Sequence, residues 1–113
     1  MDKLEQYKSA IKQVLTEYYD WVSGSANLTD ESCLVFDDEH HHYIWRFLGW
    51  DGKKRTSNTQ VHVRIKNDKI WIEEDWTEEG IATELMRLGI SNLEIVLAFH
   101  PPEERKYTDF AIA

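Results

Sequence analysis

Residues 61–72, VHVRIKNDKIWI, restrict the possible folds more than any other stretch of this chain. Val61, Val63 and Ile65 alternate with His62, Arg64 and Lys66, which is the two-residue period of a strand with one buried face. A two-residue hairpin loop at Asn67-Asp68 sets Lys66 opposite Lys69, Ile65 opposite Ile70 and Val63 opposite Ile72. On the other face Arg64 then lies across from Trp71 and His62 across from Glu73, both favourable pairs. A slip of one residue would turn every apolar side chain to water, so the register is well specified.

The flanking segments supply partners for that hairpin. Leu4, Tyr7, Ile11, Val14, Leu15, Tyr18 and Trp21 recur at helical steps, and Ser23-Gly24-Ser25 ends the helix through a left-handed glycine. Cys33–Phe36 and Tyr43–Trp50 read as strands, with a turn at Trp50-Asp51-Gly52. Thr77 is the expected N-cap of a second helix, with Glu78 and Glu79 in its first turn and Ile81, Leu85 and Leu88 as its buried stripe. Gly89 fits the position after the helix, and Ile90 can then touch Leu85. Leu93–Phe99 is the last expected strand, stopped by His100-Pro101-Pro102. A chain of 113 residues holds one core, so residues 1–113 form a single domain. Its class is α+β: a long N-terminal helix and a second helix packed on a mostly antiparallel sheet of about five strands.

The segment DDEHHHY, residues 37–43, raises the possibility of a metal site. Contiguous histidines entering a strand point to alternating faces, so His40 and His42 could share an ion while His41 could not. Asp37 or Asp38 across the turn could add an oxygen ligand, but ligands for zinc must converge and the sequence offers no further Cys or His close by, so no metal and no cofactor is expected. The single Cys33 cannot form an internal disulfide; beside Leu34, Val35 and Phe36 it reads as a buried thiol in a cytoplasmic protein. No apolar run reaches the roughly 18 residues of a membrane span. Glycines stand singly at turns rather than in a phosphate-binding loop, and no nucleophile, base and oxyanion donor assemble.

Charge is unevenly placed on this acidic chain, whose formal net charge is −8. Lys53, Lys54, Arg55 and Arg64, with Lys66 and Lys69, make residues 53–69 basic, whereas Glu73-Glu74-Asp75 and Glu78-Glu79 are acidic. Lys53, Lys54, Arg55 and Arg64 are therefore the candidates for phosphate contacts if the chain touches DNA.

Three segments are unusually specific: GWDGKKR, IWIEEDWTEEGIATELMRLGI and IVLAFHPPEERKYTDFAIA. Together they resemble the XisI family, the excision controlling factor proteins of cyanobacteria, along essentially the whole chain. Trp76 departs from the pattern, which carries a smaller residue there. The resemblance implies an accessory role in programmed excision of a DNA element, alongside a serine recombinase and a companion, XisH, with a nuclease-like fold. It brings no established catalytic residue, so the chain is expected to be non-enzymatic and to meet DNA only indirectly. Direct DNA binding through the basic 53–69 hairpin, or control of a nuclease outside excision, are the alternatives; an enzyme using His100, Arg105 and Tyr107 is a third class. The C-terminal tail ends in Tyr107, Phe110, Ala111, Ile112 and Ala113, too apolar for a solvated terminus. Either it packs on its own sheet or it meets a second copy (a dimer) or the nuclease-like companion, with His100, Arg105, Tyr107 and Phe110 as candidate contacts.

Overall fold

The computed structural model describes residues 2–24 and 30–113. In chain order it contains α1 (Lys3–Ser23), β1 (Glu31–Asp37), β2 (His42–Asp51), β3 (Lys54–Lys66), β4 (Lys69–Asp75), α2 (Ile81–Arg87) and β5 (Ile95–Leu97). Short 3-10 turns cover Asn92–Glu94 and Pro102–Tyr107. The strands lie side by side in sequence order; β1 to β4 are antiparallel, and β5 runs parallel to β4. Parallel neighbours need a crossover connection, and α2 provides it. This is the expected α+β class.

The hairpin closes at Asn67-Asp68, both with positive φ (52° and 61°), as a two-residue loop of this kind requires. Ile65 faces Ile70, Arg64 faces Trp71 and Val63 faces Ile72, as the alternation predicts. Beyond Val63 the pairing departs from that reading. A bulge leaves Glu73 without an opposite number, so His62 faces Glu74. Glu73 instead accepts a hydrogen bond from the Arg64 guanidinium at 2.8 Å.

Tyr43, Trp45, Val61, Val63, Ile65, Ile70, Ile72 and Ile95 form the buried face of the sheet. Tyr7, Ala10, Ile11, Val14 and Leu15 of α1 close over it, and Tyr7 donates its hydroxyl to the Asp68 carbonyl at 3.2 Å. Asp2 caps α1 by accepting from the Glu5 amide at 2.9 Å. Two residues of the expected stripe lie outside it: Leu4 and Trp21 are exposed, because the sheet does not extend under either end of so long a helix. The helix stops after Ser23 as expected, yet Gly24 stays right-handed at φ −78°; Ser25 lies outside the described residues.

The second helix begins differently from the expectation. Its N-cap is Gly80, at φ 89°, and the carboxylate that serves the helix start belongs to Asp75. One Asp75 oxygen accepts from the Thr77 amide at 2.9 Å and the Thr77 hydroxyl at 2.6 Å, while the other accepts from the Ile81 amide at 2.7 Å. Thr77 therefore shapes the loop rather than capping the helix. Ile81, Ala82 and Leu85 are buried, whereas Leu88 is exposed. At the other end Ile90 N–H bonds the Leu85 carbonyl and Gly89 N–H that of Met86, with Gly89 at φ 96°, which is the expected glycine-terminated ending.

The boundaries of β3 and β5 and the burial of Cys33 also differ. β3 begins at Lys54 rather than Gln60, because polar residues 54–59 pair with β2 on its exposed side. β5 has three residues; Leu93 belongs to a 3-10 turn and is exposed. Cys33 is half-buried rather than buried, since it lies with Val35 on the sheet face away from the helices. No helix is long and apolar enough to cross a membrane.

The DDEHHHY segment builds a turn. Asp37 accepts from the amides of Glu39 and His40 and from the His40 ring (2.9–3.1 Å), and these hydrogen bonds hold its carboxyl below the usual range. Asp38 takes Lys12 at 2.6 Å and the Tyr43 hydroxyl at 2.9 Å. His42 turns to the outer sheet face, where its Nδ1 lies 3.0 Å from Nε2 of His62. Among the described residues no group of three or more His, Cys, Asp or Glu side chains is placed to hold a metal ion.

Two expectations follow. Replacing Asp75 with alanine removes three accepted hydrogen bonds and should cost about 2 kcal/mol of stability in chemical denaturation, with β5 and the C-terminal segment losing hydrogen-exchange protection first. His62 is the second. Burial, and then its neighbour His42, hold its imidazole below the ordinary 6.5. The unfolded chain therefore binds the proton first, so the contribution to stability is complete above about pH 6.5 and declines as pH falls toward the folded value. Thermal melts between about pH 7.5 and pH 5 should show that decline, and His62→Gln should flatten it.

Candidate functional site

Two surfaces carry the residues singled out from the sequence, and a third emerges only in the fold. The C-terminal segment leaves β5 at Ala98 and turns at Pro101-Pro102. Arg105 donates from Nε to the His100 carbonyl at 3.0 Å and from an Nη to that of Ala98 at 3.2 Å, and its guanidinium lies 5.6 Å from the centre of the Trp71 ring. It is a clamp on the local backbone rather than the partner of a nearby carboxylate. Phe110 packs against the core, and Ala111 bridges to Val96, donating its amide to the Ile95 carbonyl at 2.9 Å. Asn92 holds the Asp109 carbonyl. The tail is thus anchored on its own sheet at Arg105, Phe110 and Ala111. Tyr107, 80 % exposed, and Ile112, 57 % exposed, point away from that anchorage, as does Phe99; His100 is half-buried against Phe99.

The basic residues are not gathered into one patch. Lys53, Lys54 and Arg55 stand at the β2–β3 turn, where Arg55 lies 5.1 Å from the Trp50 ring centre. Arg64 is ten residues farther along β3, about 33 Å away at strand spacing, and is engaged with Glu73 and the Trp71 ring. Trp71 itself is an outward tryptophan covered by three cations from two segments: Arg64 and Lys66 of β3, and Arg105 of the C-terminal segment. Residues 53–69 comprise a long strand with a turn at each end, rather than a basic hairpin.

The third surface was not read from the sequence. A pocket of about 580 Å³ opens between the C-terminal half of α1, the exposed end of the sheet and the loop before α2. Tyr18 and Trp21 of α1, Trp45 of β2 and Trp76 of the loop form aromatic walls, with Tyr18 stacked on Trp45 at 5.6 Å. Glu17, Glu78, Glu79 and Glu84 ring them. Burial raises the Tyr18 phenol above its usual range. The only hint in the sequence was Trp21, placed in the helix stripe but too far along to meet the sheet.

Comparisons with known proteins give one consistent answer. Residues 1–112 match the family model described as XisI protein. No functionally curated relative matches the chain. Among solved structures, fdxN element excision controlling factor XisI from Anabaena variabilis ATCC 29413 is 42 % identical, covering 99 % of this chain and 100 % of its own, with a TM-score of 0.87. A XisI-like protein from the same organism is 34 % identical, covering 97 % and 99 %, with a TM-score of 0.88. On sequence and fold alike, this chain belongs to the XisI family.

Proposed function

We propose that this protein is a non-enzymatic excision controlling factor that acts by binding a nuclease-like partner of the XisH type, within a complex that includes the recombinase. Support for excision control comes from the related structure named as such. Support for a protein-binding mode comes from one observation: the C-terminal segment is ordered by Arg105, Phe110 and Ala111 and yet holds Tyr107 and Ile112 out to solvent. Ordering backbone costs roughly 1–2 kcal/mol per residue, and a rigid exposed tyrosine loses little further entropy when a partner covers it. A second copy of the chain is the alternative occupant of this edge. Direct DNA binding is the weaker reading, because the candidate phosphate contacts are split between two ends of β3 on an acidic protein.

Tyr107→Ala and Ile112→Ser should leave the circular dichroism spectrum unchanged while reducing co-purification with a co-expressed XisH-like protein by about tenfold or more. Truncation after Thr108 should instead lower the melting temperature, since it removes Phe110 and Ala111 from the sheet. Capture undiminished by Tyr107→Ala and Ile112→Ser would place the interface elsewhere. For the isolated protein, duplex DNA affinity at physiological salt should fall no tighter than about 10⁻⁶ M; a sequence-dependent gel shift below that, abolished by Lys53→Glu with Arg55→Glu, would favour the DNA reading.

A further inference from the structure

We propose that the aromatic pocket between α1 and the Trp76–Glu79 loop receives an arginine side chain carried on an extended segment of a partner protein. This rests on the pocket alone and not on the partner named above.

The walls are of the type that holds a cation on an apolar stem. Trp21 and Trp76 stand on separate elements at the rim, 77 % and 70 % exposed, and the Tyr18–Trp45 stack lies between α1 and the sheet. An indole left in water forfeits much of the hydrophobic stabilisation its area would bring on burial, yet two are so placed at one opening. Trp76 is also held in position: its indole N–H donates to Glu74 at 2.9 Å and its amide to the Gln60 carbonyl at 2.9 Å. Four carboxylates surround these rings, and Arg87, bonded to Glu84 and 3.5 Å from Glu79, is the cation paired with them. Glu17 and Glu78 make no ion pair among the described residues, so the site keeps an excess of negative charge. Indole faces attract cations through the ring quadrupole, and guanidinium both stacks on indole and bridges carboxylates, which ammonium does less well.

The surroundings favour a cation borne on a chain over a free small molecule. A second hollow, of about 480 Å³, shares Gln60 and Trp76 with the first and is lined by Arg46, Asn58, Thr59 and Glu74. Trp76 is thus a ridge between an acidic aromatic pocket and a polar trough whose amide and hydroxyl groups can meet peptide backbone. Both sheet irregularities flank this groove: Gln60 is the extra residue of β3 at the Trp45/Arg46 shift, and Glu73 the extra residue of β4. Bulges of this kind re-aim side chains beside functional sites.

The test is a chemical-shift titration of the full chain, following its five tryptophan indole N–H signals. The probes are a peptide of about seven residues with a central arginine in a glycine-serine context, the same peptide with neutral citrulline, N-acetyl-arginine amide, and choline. The indoles of Trp21, Trp45 and Trp76 should move with the arginine peptide while those of Trp50 and Trp71 stay. The arginine peptide should bind at least about tenfold more tightly than the citrulline peptide and weaken as salt is raised. Trp76→Ala, or Glu17→Gln with Glu78→Gln, all at exposed positions, should each weaken it at least about fivefold. Equal response to citrulline, or no movement of these three indoles, overturns the proposal. Choline or N-acetyl-arginine amide binding as tightly as the peptide overturns the assignment to a protein segment. Either failure leaves the C-terminal interface untouched, because the titration involves no partner protein.

Discussion

The Asn67-Asp68 turn sets the geometry on which the rest of the molecule depends. Because both residues accept positive φ, the loop closes in two residues and brings Ile65 against Ile70 and Val63 against Ile72. Those four side chains share one hydrophobic core with Tyr7, Ala10, Ile11, Val14 and Leu15 of α1, and the helix is tied to the turn itself through the Tyr7 hydroxyl and the Asp68 carbonyl. One residue beyond Ile72, the bulge at Glu73 changes what the strand end can do. It frees Glu73 to reach Arg64 and leads β4 into Asp75, whose carboxylate organises the loop and the start of α2. The position of α2 in turn decides where β5 lies, and β5 is the edge to which the C-terminal segment is fixed.

The same sheet divides the protein's charge. Over its outer face, Arg64, Lys66 and Arg105 converge on one tryptophan, Trp71, so cations from distant parts of the chain substitute for an apolar layer there. On the helical side, at the end the helices leave uncovered, carboxylates surround aromatic rings. A net charge of −8 therefore describes neither surface. A protein organised in this way presents two electrostatically distinct surfaces.

Legibility varied with the kind of signal. Where apolar residues kept a regular period and met a turn residue, the main expectations held: α1 apart from its exposed Leu4 and Trp21 and its right-handed Gly24, the 63–72 pairing, and the ending of α2 at Gly89 with Ile90 folded onto Leu85. It failed where a single residue broke the period. The bulge at Glu73 moved the partner of His62 from Glu73 to Glu74, and Thr77, which has the right chemistry for a cap, lost that place to Asp75. Polar residues 54–59 carry no alternation, so half of β3 was invisible. The candidate site residues were named individually, but their company was not. Arg64 sits apart from Lys53, Lys54 and Arg55, Phe110 is seated against the core, and Trp21 and Trp76 come together across 55 positions of chain.

By itself, then, the sequence determined the elements, the register of one hairpin and the family, because these follow from local periodicity and from residue patterns along the chain. Tertiary structure alone decided which face each irregular residue turns to, which carboxylate serves which amide, and where tryptophans from a helix and a loop form one pocket. Those outcomes depend on where elements end relative to one another, and a helix longer than its sheet or a strand one residue out of step leaves no local mark in the sequence.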